Sequence, residues 1–185
     1  MSELSPGQVF AGYRLVRRLG AGAFGEVWEA TAAEVGPVAL KFIRLQAGEA
    51  ARELRGVAAA AKIEHPHVLR VHRSWEEAGF LIVAMELAEK TLKERLGEAE
   101  RQGQPGIPRD ELLVYLKQAA DGIGYLNEHN VLHHDIKPEN LLLVGGRVKV
   151  ADFGFARLVG HAISAFDGVM TLPRGTLPTR AHLAE

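Results

Sequence analysis

Five side chains in this sequence could together move a phosphoryl group. In "VLHHDIKPENLLL", Asp135 stands two residues before Lys137 and five before Asn140, ahead of an apolar run. A carboxylate such as Asp135 can accept the proton of an attacking hydroxyl. Lys137 can contact the group in flight, and the Asn140 amide offers oxygen to a hard cation. Further on, Asp152 in "ADFG" follows a Val-rich strand and supplies a second oxygen ligand. Each acid by itself reads more readily as a solvated loop carboxylate. Together they form a set with the spacing of a phosphoryl-transfer loop.

The fifth is Lys41 in "VALK", sixteen residues past Gly25. A lone buried ammonium is costly, so a Lys among Ala39 and Leu40 needs a partner or a route to water. A phosphate contact held by a carboxylate is one reading, with Glu53 as the partner and Glu49, one turn earlier, as the other candidate. A surface Lys with a snorkelling stem is the alternative. Upstream, "LGAGAFGEVW" spaces Gly20, Gly22 and Gly25 between two strands. Glycines let the backbone approach a polyphosphate and present its N–H groups. A strand follows, not a helix, which disfavours a dinucleotide fold, and no Gly-x-x-x-x-Gly-Lys loop is present.

The elements that must position these residues divide the chain in two. "YRLVRRLG", "GEVWEATA", "GPVALKFIRL", "HPHVLRVHRSW" and "GFLIVAMEL" read as strands, bounded by Gly and Pro. Between them, residues 47–63 carry a helical stripe of Leu54, Val57, Ala58 and Ala61. From Glu89 the pattern turns helical. "TLKERLGEAERQ" is a short polar helix, and Pro108 opens a longer one ending near Asn130. In that helix Leu112, Leu116, Ala119, Ile123 and Leu126 are expected to line one buried face. The "LLLV-GG-RVKVA" hairpin follows, and from Gly160 the chain reads as loop. The expected architecture is α+β: a small antiparallel β lobe with one helix over residues 1–88, and a helical lobe over 89–185.

Bulk composition sets the remaining bounds. Of 185 residues, 47% are hydrophobic and 24% charged, values of an ordinary folded chain. A net charge of −1 gives no electrostatic case for nucleic acid or an anionic membrane as partner. There are no cysteines, hence no disulfide or thiolate metal site. "MSELSPGQVF" does not read as a secretory signal, and "FLIVAMELA" is too short and too acidic to span a bilayer. The expected location is cytoplasmic.

Gly20-x-Gly22-x-Phe24-Gly25-x-Val27, Val38-Ala39-Leu40-Lys41, "HHDIKPEN" and "DFG" stand in an order that resembles the eukaryotic-type protein kinases. The likeness covers roughly residues 10–160. Lys137 points to the serine/threonine branch, and the wording is similar to bacterial members. The resemblance implies a two-lobe kinase fold and ATP- and Mg2+-dependent transfer to Ser/Thr hydroxyls of a protein substrate. ATP would lie between the lobes, capped by Leu19, Gly20, Ala21, Gly22, Ala23, Phe24 and Gly25. Val27, Ala39 and Leu142 would sandwich the adenine, whose edge would bond the Glu86 carbonyl and the Ala88 amide. Lys41, held by Glu53, would contact the phosphates. Asn140 and Asp152 would bind magnesium, and Asp135 would orient the hydroxyl. Val57, Val71, His133 and Phe153 would stack as a column.

Two departures stand out. His134 replaces the Arg that grips an activation-loop phosphate in many kinases. A mostly neutral imidazole is a poor substitute for a bidentate cation, so weakened phosphate control is expected. "GTLPTRAHLAE" only loosely echoes the family's Ala-Pro-Glu ending, which suggests a helical lobe cut short; the alternative to an active kinase is then a nucleotide-binding pseudokinase or an inactive truncated kinase fragment acting as a binding module. Ser164, Thr171 and Thr176 lie where activation-loop phosphates occur in the family.

Overall fold

The computed structural model describes residues 4–22, 25–32, 36–44, 63–152 and 157–158. The alternating segments of the first half form one antiparallel sheet of β1 (Val9–Phe10), β2 (Tyr13–Gly22), β3 (Gly25–Ala32), β4 (Gly36–Arg44), β5 (Val71–Glu77) and β6 (Phe80–Glu86), in the order β1-β2-β3-β4-β6-β5. The period-two rule divides β4 cleanly. Val38, Leu40 and Phe42 face a core with Leu15, Trp28, Ala30, Ile82 and Ala84. Phe42 is central: its ring meets Phe10 at 5.0 Å and Phe80 at 5.7 Å, both edge-on. Complete burial of such a side chain contributes about 1.5–3 kcal/mol. The opposite face carries Ala39, Lys41 and Ile43. There Lys41 lies directly across from Val27 on β3 and Val83 on β6.

The second half builds on β7 (Lys90–Thr91), α1 (Leu92–Arg101), α2 (Arg109–Glu128), β8 (Val131–Leu132), a 3-10 turn (Pro138–Asn140), β9 (Leu141–Val144), β10 (Arg147–Val150) and β11 (Arg157–Leu158). A capping box opens α1: the Thr91 hydroxyl accepts the Glu94 N–H at 3.0 Å, and the Glu94 carboxylate accepts the Thr91 N–H. Arg95 then grips Glu111 with two 2.7 Å bonds, and Tyr115 donates to the same carboxylate, which joins α1 to α2. The expected hairpin is β9–β10, turned by Gly145–Gly146. Leu126, Val131, Leu143, Val148 and Val150 form its core with Leu92 and Ala119. No helix among the described residues is long and apolar enough to cross a membrane.

Three expectations are corrected. The strand read from His65 begins only at Val71. Pro66 lacks the N–H that a ladder needs, and residues 65–70 turn instead to run beside β10. There Val150 N–H donates to the His67 carbonyl and Leu69 N–H to the Val150 carbonyl, both at 2.9 Å. Pro108 caps α2 and Arg109 is its first residue. Leu116, expected in the buried stripe, is 48% exposed, as are Leu113 and Val114 to similar degrees. The stripe is centred on Tyr115, Ala119, Gly122 and Leu126 because α2 approaches the His67 backbone too closely for a large side chain. The helix expected at 47–63 lies outside the described residues, except Ile63, which is buried in the second core.

That approach yields a test. A Cβ added at Gly122 would sit 2.3 Å from the His67 carbonyl oxygen, whereas one at Gly124 meets nothing within 4 Å. Gly122→Ala should therefore destabilise by about 1–3 kcal/mol through overpacking. Gly124→Ala, on the same helix, should gain up to about 1 kcal/mol of helix propensity. Denaturant melts of the two variants check the opposite signs.

Candidate active site

The site is built outward from one buried ring. His133 is 4% exposed. Its Nε2 lies 2.8 Å from the Ala151 carbonyl oxygen, which can only accept, so Nε2 carries the proton. Nδ1 then accepts the Asp135 N–H at 3.3 Å. The ring thus spans from the strand before Asp152 to the loop holding Asp135. The next residue, His134, is exposed and sits in the left-handed region at φ 61°.

Asn140 closes the same loop. Its side-chain amide donates to both the backbone carbonyl and the carboxylate of Asp135, each at 2.9 Å. Pro138 is placed in the first turn of the 3-10 segment, and the Asn140 N–H returns to the Lys137 carbonyl at 2.9 Å. Lys137 lays its ammonium 2.7 Å from Asp135 Oδ2. From α1, Lys93 pins Glu139 at 2.7 Å. The Asn140 carbonyl accepts the Ala151 N–H at 2.9 Å, so loop and strand are joined twice at Ala151. Asp152 follows at φ 66°, a left-handed conformation uncommon for a residue with a side chain.

Lys41 reaches this loop from the sheet. Its Nζ lies 2.8 Å from Asp152 Oδ1, with the side chains 13% and 31% exposed. Glu53 and Glu49, the expected partners, lie outside the described residues, as do Ala23, Phe24, Val57, Phe153, Ser164, Thr171 and Thr176. The structure therefore brings Lys41, Asp135, Lys137, Asn140 and Asp152 into one connected chain of contacts. Leu19, Gly20, Ala21 and Gly22 end β2 exposed, paired with β3 through Gly20–Val27, Ala21–Glu26 and Gly22–Gly25. The strands thus run through the glycines, with register shifts between Leu15 and Arg17 and between Arg18 and Gly20. Gly25 has φ 112°, and a Cβ there would lie 1.8 Å from the Phe42 carbonyl oxygen, so only glycine fits. Val27 and Ala39 share the sheet face of Lys41. Val71 packs against both the core under α2 and the Ile43–Leu81–Val83 cluster on that face. Leu142 is half-buried on β9, in register with Thr91 and Lys149.

Glu86 and Ala88 lie on the link between the halves. Glu86 ends β6 and donates its N–H to the Arg70 carbonyl at 3.0 Å, while Glu89 N–H bonds the Leu143 carbonyl at 2.9 Å, so Ala88 is bracketed. A contact that the sequence reading missed holds this link. Lys149 places its ammonium 2.8 Å and 3.1 Å from the two Glu86 oxygens. The alternation of "RVKV" was a signal: Val148 and Val150 point to the core, and Lys149 must point away from it.

The charges follow from the contacts. The hydrogen bond from Lys137 holds the Asp135 carboxyl below its ordinary range, and that from Asn140 adds to it. The same contact raises Lys137. Burial pushes His133 down, so the ring is neutral at pH 7. With its amide nitrogen committed to Asp135, Asn140 has its side-chain oxygen left as a donor. An amide oxygen and a carboxylate are hard donors of the kind that suits magnesium. No cluster of three or more His, Cys, Asp or Glu able to hold a metal occurs among the described residues.

Residues 13–177 match the Protein kinase domain family. CBL-interacting protein kinase 4 of Oryza sativa subsp. japonica is 40% identical over 79% of this chain and 33% of its own length. Serine/threonine-protein kinase PknJ of Mycobacterium tuberculosis is 34% identical over 98% of this chain and 31% of its own. The crystal structure of the M. tuberculosis PknI kinase domain superposes with a TM-score of 0.70 at 31% identity, covering 82% of this chain and 62% of that one. The chain spans about a third of the length of the curated relatives it matches. A β lobe and a helical portion joined at Glu86–Lys149 and Lys41–Asp152, with the fold of a solved kinase domain and a family match across most of the chain, place this protein in the protein kinase family.

Proposed function

We propose that the chain carries the ATP-dependent phosphoryl-transfer machinery of a serine/threonine protein kinase, in a cleft between a β lobe of residues 1–88 and a helical lobe of 89–185. The observation that carries this reading is the contact chain from Lys41 through Asp152 and Ala151 to His133, Asn140 and Asp135. Asp135 accepts the proton of the substrate hydroxyl. Its depressed carboxyl is ionised at neutral pH, and Asn140 fixes its direction. Lys137 offsets charge beside it. Lys41 exchanges part of its contact with Asp152 for nucleotide phosphates. Leu19 to Gly25 cover those phosphates, with Glu53 steadying Lys41. Val27, Ala39 and Leu142 flank the adenine, and the Glu86 carbonyl and Ala88 amide meet its edge. Asn140 and Asp152 hold Mg2+, which when bound neutralises phosphate charge.

Labelled ATP, magnesium and a generic basic protein test the reading. Asp135→Asn should cut transfer by about 10²–10⁴-fold, the range for losing a positioned base. It should keep nucleotide binding, seen as thermal stabilisation of about 2.7 kcal/mol at a hundred times Kd. Asp152→Ala should abolish transfer. Transfer unchanged in Asp135→Asn would overturn the assignment. Stabilisation by nucleotide with no transfer in the parent chain would make it a binding module.

His133 gives a pH prediction. A histidine depressed by burial stays neutral when folded, while the unfolded chain takes up a proton below about pH 6.5. The unfolded state then binds more protons, so stability falls as pH drops below that value. His133→Phe should flatten the acid-side loss in melting temperature between about pH 6.5 and pH 5. An unchanged slope would assign that loss to other groups.

A further inference from the structure

Away from the cleft, two histidines of the turn before β5 face one carboxylate on α2. His65 Nε2 lies 3.6 Å and His67 Nε2 3.9 Å from Asp121 Oδ2. The histidine side chains are 14% and 15% exposed, and Asp121 is 63% exposed. Their other ring nitrogens fix different tautomers. His65 Nδ1 accepts the His67 N–H at 3.2 Å, so its proton is on Nε2, facing Asp121. His67 Nδ1 lies 2.9 Å from the Val148 carbonyl oxygen, so its proton is on Nδ1. A neutral His67 therefore has its unprotonated Nε2 3.9 Å from the carboxylate, too far for a hydrogen bond.

We infer that His67 is a proton-operated tie between the 65–70 turn, α2 and β10: protonation places a positive charge at Nε2, at ion-pair distance from Asp121, while its bond to Val148 is kept. His65 cannot serve in this way, because a proton on its Nδ1 would oppose the His67 N–H. A metal bridge is disfavoured for the same reason, since His65 Nδ1 accepts the His67 N–H and Nε2 carries the proton.

Among the described residues, the surroundings leave Asp121 as the partner. On α2, Tyr125 stacks on His65 at 4.5 Å, and His129 stacks on Tyr125 at 4.0 Å with its Nδ1 donating to the Tyr125 carbonyl. In the turn, Glu64 is paired with Arg70 at 3.0 Å. On β10, Lys149 is engaged by Glu86. The His67 carbonyl also holds Val150, two residues before Asp152, so the tie bears on the strand that leads to the cleft. The inference is independent of nucleotide binding.

Long-range 15N spectra of the unmodified chain at about pH 8 should show His67 protonated at Nδ1 and His65 at Nε2; the opposite tautomer at His67 would overturn the proposal. In melts of the full chain, Asp121→Asn should lower the melting temperature by about 1–4 °C at pH 5.5, the scale of a partly exposed ion pair, and by less at pH 8. That difference should vanish in a His67→Gln background and persist in His65→Gln. An equal loss at both pH values, or a difference that survives His67→Gln, would sink it.

Discussion

The ion pair between Lys41 and Asp152, 111 residues apart in sequence and 2.8 Å apart in space, is the constraint around which the two halves are arranged. Neither charge is well hydrated, so the attraction is set against a desolvation cost, and such pairs contribute little net stability. What the pair fixes is geometry. A partly buried ammonium on a sheet face requires a counter-charge, and the acid that supplies it sits at the end of β10.

Strand β10 carries that position into the helical half. Its last residue pairs with the His67 segment, and the following Ala151 is held by the His133 ring and by Asn140. Asp135 is thus placed through backbone hydrogen bonds, one neutral, buried imidazole and the buried Asn140 amide. Backbone carbonyls and amides cannot swing away, so the distance between Asp135 and Asp152 is set by the fold. Tolerances in phosphoryl transfer are tight, since a misplacement of about 1 Å can cost about a hundredfold.

The link between the halves is held by the same economy of means. Lys149 projects from β10 to Glu86, while β9 takes the Glu89 N–H. One hairpin therefore fixes both the link and the strand that leads to Asp152. Close backbone contacts replace side-chain packing where elements cross: Gly25 beneath the Phe42 carbonyl and Gly122 against the His67 carbonyl.

Periodicity and punctuation made much of this legible beforehand. "GPVALKFIRL" put Lys41 on a strand among apolar neighbours, "TLKERLGEAERQ" read as a short polar helix, and paired glycines marked the β9–β10 hairpin. The ordered motifs named the residues that the contact chain from Lys41 to Asp135 joins. Tertiary structure decided the partners. It set Lys41 against Asp152, Lys149 against Glu86 and His67 against Asp121, and it turned α2 so that Gly122 faces inward and Leu116 outward. Local sequence determines which backbone states and faces a segment prefers. The choice of partner depends on which distant segment packs there, and that is decided only when the whole chain competes for the same contacts.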